Sequence, residues 1–367
     1  MGVTVKDIMA IMERHFPPFL AESWDNSGLQ LGEAGQTVHR LAVALDLDRR
    51  VLADALQQRV DLLITHHPLF FTGIRNIDFS TWRGQIIRDL IMAGITVYSA
   101  HTNLDSAENG LNQLLAEKLG LKGIRPLFPA RQEELYKIVV YVPVSHVQEV
   151  RQAMNDAGAG CIGNYSDCSF RSPGTGTFRP GQHTNPFIGT TGQLEEVEEY
   201  RLETVACQRD LRNIITAMTS AHPYEEVAYD IYRLENQGRI YCPGRRGELP
   251  QPLGLEELAR QVKKALGLDS LRVSGELDEM VQKVGVISGS GASFIDQTGG
   301  DIDVLITGDI KYHEARDAQW GGLNLIDAGH QGSEEIVVVF LEKLLREELG
   351  DRVEITPLYG SACFQSI

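Results

Sequence analysis

The sequence predicts an α/β protein in which two similar βαβ-type half-domains form one split domain, interrupted by a ferredoxin-like α+β insert. Three observations predict it. First, short apolar runs end abruptly in histidine-rich turns: Asp61-Leu62-Leu63-Ile64-Thr65 stops at His66-His67-Pro68, and residues 95–100 stop at His101-Thr102-Asn103-Leu104-Asp105. A strand of a parallel sheet is buried on both faces and therefore continuously apolar, and Pro68 cannot extend its ladder. Second, the pattern recurs. Asp303-Val304-Leu305-Ile306-Thr307-Gly308-Asp309 echoes residues 61–67, while residues 284–288 and 322–330 answer residues 41–45 and 94–101. Three strands matching in order mark an internal repeat. Third, the stretch between the repeats changes character, opening at Pro126 and Pro129 and running through two β-α-β units.

In chain order, Val5, Ile8, Met9 and Met12 have helical spacing, and residues 24–32, opening with Trp24-Asp25-Asn26-Ser27-Gly28-Leu29, form a turn-rich stretch with a strand-like end. Residues 41–47 predict a strand ending in Asp46 and Asp48, 50–58 a helix, 61–65 a strand, 82–93 a helix and 95–100 a strand, the rhythm of right-handed crossover units. In the middle, strands are expected at 136–142, 160–169, 198–205 and 227–233, with helices at 146–157 and 208–219. A Gly/Thr/Pro-rich segment, Gly174-Thr175-Gly176-Thr177-Phe178, is expected to follow the second of these strands. The chain re-enters the parent fold near Tyr241, so the segments are 1–127, 128–238 and 239–367. Ser333-Glu334-Glu335 opens a long C-terminal helix.

A chain of 367 residues exceeds one ordinary core. The net charge of -16 argues against nucleic-acid partners, which need a surplus of Lys and Arg. No apolar run is long enough to cross a bilayer, so no membrane partner is expected. Five cysteines without a Cys-x-x-Cys pair indicate neither a disulfide framework nor a thiolate zinc site, and a reducing cytoplasm fits best. Residues 1–12 run straight into a helical pattern without a signal-peptide core, and Lys6 breaks the myristoylation pattern.

Chemistry is expected where the strands end, since ligands of open α/β sheets sit outside the carboxyl ends of the strands. His66, His67, His101, Asp105, His330 and Glu334 all fall there. The His330/Glu334 and His101/Asp105 pairs are each four residues apart, one helical turn, which puts both members on one side. Taken singly, each histidine has a plain surface role and Glu334 suits a helix start. Taken together, they offer more donors than one tetrahedral ion needs and suit two divalent metal ions per chain sharing a carboxylate or a water. Imidazole and carboxylate without thiolate fit zinc, iron or manganese alike.

Trp24-Asp25-Asn26-Ser27-Gly28-Leu29, Thr65-His66-His67-Pro68-Leu69-Phe70-Phe71, His101-Thr102-Asn103-Leu104-Asp105, Thr307-Gly308-Asp309-Ile310-Lys311-Tyr312-His313-Glu314-Ala315 and Gly329-His330-x-x-x-Glu334 together resemble the Nif-three-like family. Its members are also named dinuclear metal centre proteins or GTP cyclohydrolase I type 2 homologues. The resemblance implies that His66, His67, Asp105, His330 and Glu334 are the metal ligands and that His101 is a cleft histidine outside the main ligand set. The middle segment is similar to the PII-like or CutA-like domain of longer bacterial members, with Gly174-Thr175-Gly176-Thr177-Phe178 and His222-Pro223-Tyr224-Glu225-Glu226 as its signatures. The resemblance also implies a homo-oligomer, a hexameric ring with the metal sites facing an internal cavity.

Two metals in such a site imply a metal-dependent hydrolase, with His101 shuttling a proton. The family name suggests a nucleotide as small-molecule substrate and ring-opening hydrolysis of GTP as the reaction. No phosphate-binding fingerprint accompanies it, since Gly289 and Gly291 form only a short Gly-x-Gly. Asp309, Lys311 and His313 are candidates for binding substrate phosphate or orienting a ligand, and Lys311 and His313 otherwise belong to a solvated first helical turn. The alternative function is a non-catalytic, metal-dependent regulatory or binding protein with a ligand-sensing PII-like domain.

Overall fold

A computed structural model describes residues 2–298 and 300–364; residues 1, 299 and 365–367, parts of the two outer segments, lie outside the described residues. The chain divides into two compact units, residues 1–130 with 241–367, and residues 131–240.

The first unit holds two sheets. In one, the order is Gly28–Leu31, Thr96–Ser99, Leu62–Thr65, Arg40–Ala44, Glu354–Pro357, with Gly28–Leu31 antiparallel and the others parallel. In the other it is Arg272–Ser274, Asn324–Asp327, Val304–Thr307, Met280–Val286, Arg245–Gly254, Lys122–Pro126. Three strands of this sheet, Met280–Val286, Val304–Thr307 and Asn324–Asp327, are parallel to one another, and the rest are antiparallel. Leu62–Thr65, Thr96–Ser99, Val304–Thr307 and Asn324–Asp327 are buried at every residue, as strands covered on both faces must be. The parallel set, four strands in the first sheet and three in the second, thus carries an antiparallel edge strand beside Thr96–Ser99 in one and Asn324–Asp327 in the other.

The halves of the sequence do not map cleanly onto the two sheets. Lys122–Pro126 pairs with Arg245–Gly254 in the second sheet, whereas Glu354–Pro357 pairs with Arg40–Ala44 in the first. Each sheet therefore ends on a strand donated by the other half of the chain. Helix Ile336–Leu349 packs its buried Val337, Val338, Leu341 and Leu345 into the core of the first sheet, together with Ile8 and Met12 of helix Val5–His15. That N-terminal helix is fixed by a capping box, Thr4 accepting from Asp7 N and Asp7 accepting from Thr4 N.

Arg245 ties the halves from inside. It is 4% exposed and donates to the carbonyls of Cys242 at 2.8 Å, Gly244 at 3.1 Å and Ala107 at 2.5 Å. Burial pushes its pKa down. Arg245→Met keeps the stem but leaves these acceptors without a donor, so a loss of about 3 kcal/mol is expected. A fall in the urea midpoint at unchanged slope is the measurement.

The second unit has the order strand Leu135–Pro143, helix Val147–Asp156, strands Ser169–Phe178 and Glu195–Cys207, helix Leu211–Ala221, strand Tyr229–Arg233. Its four strands form an antiparallel sheet in the order Tyr229–Arg233, Leu135–Pro143, Glu195–Cys207, Ser169–Phe178. Ile138, Val140, Val142 and Leu202 pack against Val150, Met154, Ile214 and Met218 of the two helices, on one face of the sheet. The strand expected at 160–169 is displaced. Only an isolated Ile162–Tyr165 bridge lies there, and the extended segment is Ser169–Phe178. Gly174, Gly176 and Pro173 argue against a strand on composition, but this one is at the sheet edge, where proline's missing N–H costs no ladder bond.

Candidate metal centre

Parallel register carries His66 and His67 to the end of their strand: His66 N donates to Ala44 O at 3.2 Å and His67 N to Leu45 O at 3.0 Å. Thr65 Oγ1 donates to His67 O at 2.7 Å, holding the turn that lets both rings face one side. From the second half, Gly329, at φ +75°, turns the chain out of strand Asn324–Asp327 into the short helix His330–Glu334. Ser333 accepts from Gly289 N at 2.9 Å and locks that helix to the turn after strand Met280–Val286. Asp105 sits on helix Thr102–Ser106, where Ser288 Oγ reaches its Oδ1 at 3.3 Å.

These residues converge. His67 Nε2 lies 3.0 Å, and His330 Nε2 3.1 Å, from Glu334 Oε2, with 3.2 Å between the two nitrogens. His66 Nε2 lies 3.8 Å from the other oxygen, Glu334 Oε1, and 3.6 Å from Asp105 Oδ1. All five predicted ligands therefore surround Glu334 or are Glu334 itself. His101 joins at the side, its ring centre 5.2 Å from that of His66 and 5.5 Å from that of His67.

Every histidine is held by its outer nitrogen. His66 Nδ1 bonds Ala100 O at 2.8 Å, His67 Nδ1 bonds Asp46 at 2.7 Å, His330 Nδ1 bonds Asp309 at 2.7 Å and His101 Nδ1 bonds Asp25 at 2.8 Å. An Nδ1–H donated outward fixes the tautomer that leaves the Nε2 lone pair inward, the arrangement that metal-binding imidazoles use. The inward atoms are short of partners. His66 Nε2 and Glu334 Oε2 are buried and hydrogen-bonded to no described residue. Buried polar atoms without partners are costly, and a cation among them removes the cost.

The charges agree. Burial opposes a positive charge on His67, but Asp46 and Glu334 outweigh it and raise its pKa to about 10. Glu334 raises that of His330 to about 9, against burial and with help from Asp309. His66 is also raised, Asp105 and Glu334 overcoming its complete burial. Burial and the neighbouring Glu334 push Asp105 up, whereas the surrounding imidazoles hold Glu334 well down despite burial. Without a metal, the cluster draws in protons to balance its carboxylates, and a divalent ion supplies the same charge.

Three carboxylates beyond the expected set take part. Asp46 and Asp309 orient His67 and His330, and Asp25 orients His101 while accepting from Thr102 and Ser27. Burial works against ionisation of Asp25, but these bonds keep its pKa far below the usual carboxylate range. Asp309, on sequence a candidate for binding substrate phosphate or for orienting a ligand, thus takes the orienting role on His330, at a backbone φ of +57°. The signals for all three are their places at strand ends or in Trp24-Asp25-Asn26. Lys311 is exposed and pairs with Glu314 at 3.7 Å, and His313 is exposed at the start of helix Tyr312–Trp320, so both take the helix-start role.

Paired parallel sheets with buried imidazoles and carboxylates at their strand ends define a class: α/β proteins with a candidate histidine–carboxylate metal centre, in which two groups, His66/His67/His101 and His67/His330/Glu334, could hold an ion. The chain belongs to the Duf34/NIF3 (NGG1p interacting factor 3) family, whose model matches residues 3–360. It is 42% identical over 348 residues to a protein of Halalkalibacterium halodurans named GTP cyclohydrolase 1 type 2 homolog, covering 95% of this chain and 91% of that one. A Bacillus subtilis protein of the same name is 40% identical, with 94% and 91% covered. Among solved structures, a Bacillus cereus protein related to NIF3 is 40% identical and superimposes over 100% of both chains with a TM-score of 0.91. Among the described residues no helix is long and apolar enough to cross a membrane.

Proposed function

We propose that the chain binds two divalent metal ions, zinc, iron or manganese, through His66, His67, Asp105, His330 and Glu334, and that the loaded site is hydrolytic. The observation that carries this is the split of the Glu334 carboxylate: Oε2 faces His67 and His330, and Oε1 faces His66, beside Asp105. Such a carboxylate is placed to bridge two ions, each with its own imidazole donors. When bound, the ions would lower the pKa of a water and polarise the bond under attack. His101, oriented by ionised Asp25, keeps Nε2 available to take a proton at the edge of the cluster. His330 is the most open of the ligands at 37% side-chain exposure, which puts the approach of substrate on its side.

The relatives' name makes a nucleotide the candidate substrate and ring opening of GTP the candidate reaction. Exposed Trp24 and Phe71, with ring centres 6.0 Å and 5.7 Å from that of His101, offer faces on which a base can stack. Asp25, Asp46, Asp105, Asp309 and Glu334 balance two divalent ions, so a triphosphate would be held by direct bonds to metal rather than by surplus charge. The metal-loaded protein is expected to consume GTP, to stop on chelation and to resume with one specific divalent ion. An intact metal site that leaves GTP, other nucleotides and phosphoesters unchanged would overturn the hydrolase. It would favour the regulatory reading, which also draws on a cavity in residues 131–240. The same proposal includes a homo-hexamer in the cytoplasm, and a ferredoxin-like insert of the PII or CutA kind.

A further inference from the structure

The unit of residues 131–240 contains a cavity of about 550 Å³, within the range of small-molecule sites. Both sequence signatures of that unit line it: Gly174 to Phe178 of the edge strand, and Tyr224 to Glu226 after helix Leu211–Ala221. The cavity floor is the sheet face turned away from the helices. Register puts Ser172, Gly174, Gly176 and Phe178 opposite Arg201, Glu199, Val197 and Glu195. Alternation along the strand therefore places both glycines on the cavity side, where they leave the floor bare. Glycines inside a strand weaken it and mark a close approach by another group.

The group already there is Glu199. It is 7% exposed, and its Oε1 accepts from Tyr224 Oη at 3.0 Å. Its Oε2 accepts from no described residue and lies where a Cβ on Gly176 would come within 2.2 Å of it. Tyr224 is itself fixed: its N donates to His222 Nδ1 at 3.1 Å, and His222 Nε2 donates to Tyr141 O at 3.0 Å. That pair of bonds defines one neutral tautomer of His222, and burial lowers its pKa in keeping. The 16-residue connection 179–194 folds over the same face. Phe187 stands 6.4 Å from Tyr224 between ring centres, and Asn185 N donates to Glu225 at 2.9 Å. Long loops without secondary structure are commonly binding loops.

We propose that this cavity is a binding site for a small aromatic molecule carrying a cationic amine, its ring packed against the wall that Phe178, Phe187 and Tyr224 form together and its ammonium on Glu199. Aromatic faces and a carboxylate are the two elements that recognise such a ligand. Charge excludes the opposite sign. Glu199, Glu225 and Glu226 face a single Arg201, and that guanidinium is already paired with Glu203 at 2.8 Å. A phosphate-bearing ligand would find no free cation there, so the site is distinct in chemistry from the metal centre and independent of its reading.

The probe is tyramine, titrated calorimetrically into the full chain, with 3-(4-hydroxyphenyl)propionate as a counterpart of the same size and opposite charge. Saturable tyramine binding is expected, with the propionate at least about tenfold weaker, the worth of one charge-assisted hydrogen bond. Glu199→Gln preserves the acceptor for Tyr224 and should weaken tyramine about tenfold at unchanged melting temperature. Gly176→Ala is the second variant, because its methyl drives the Glu199 carboxylate into the cavity while only a flexible side-chain end must move. It should abolish the same binding. No saturable tyramine binding, equal binding of the propionate, or wild-type affinity in Glu199→Gln would overturn the assignment.

Discussion

For the proposed two-ion site, Glu334→Gln is expected to remove both metal ions at once. Glutamine matches glutamate in size and keeps the helix His330–Glu334 intact, so the change is one of charge and donor number. One amide oxygen cannot serve the donor pair His67/His330 and the donor set His66/Asp105 together, which lie on opposite oxygens of the present carboxylate. The loss should exceed the roughly tenfold to hundredfold that removal of an outer hydrogen-bond partner costs. Elemental analysis of the purified variant checks it. His330→Gln, which touches one set only, should leave the ion between His66 and Asp105. A Glu334→Gln protein that retained one full equivalent would show that the carboxylate serves a single ion.

Gly289→Ala is the second large effect, and it acts without replacing a ligand. Gly289 has φ +63°, and a Cβ there would stand 2.2 Å from Glu334 Oε1 and 3.3 Å from His330 Nε2. Two costs follow. The left-handed backbone costs about 1–2 kcal/mol for any residue with a Cβ, and the methyl occupies the space of the Glu334 carboxylate. A separate substitution isolates the first. Gly267→Ala has φ +68° with nothing within 4 Å of its Cβ, so it bears the backbone cost alone. Gly289→Ala should lose metal and Gly267→Ala should keep it, with the larger fall in melting temperature at Gly289, which bears both costs. Equal metal content in the two would mean that Glu334 can move without loss of the site.

The sequence made the catalytic-looking ends of the fold legible because parallel strands are apolar on both faces. Leu62–Thr65 and Val304–Thr307 are uninterrupted apolar runs, and His66, His67, Asp309 and His330 lie just past the ends of such runs. Helix Trp82–Ala93 was equally plain, with Ile86, Ile87 and Leu90 on its buried side. The edge strands were less so. Gly28–Leu31 shows in the sequence only as the strand-like end of the turn-rich stretch 24–32, and Glu354–Pro357 not at all, because both are four residues long and half exposed. Ser169–Phe178 hid behind glycines and a proline that suit an open edge over a cavity, not a buried strand. The partners Asp25 and Asp46 escaped for another reason. A carboxylate that orients an imidazole needs one hydrogen bond and no periodicity, so its place at a strand end or in a motif marks it as a candidate and only three-dimensional proximity shows which imidazole it holds.

Metal content of the wild-type chain, measured by elemental analysis after purification and again after reconstitution with zinc, iron or manganese, tests the central claim most directly. The account predicts about two transition-metal ions per chain, which His66, His67, Asp105, His330 and Glu334 would hold. Wild-type protein that stays free of metal after reconstitution would contradict it, leaving the buried His66 Nε2 and Glu334 Oε2 without the cation that their arrangement calls for.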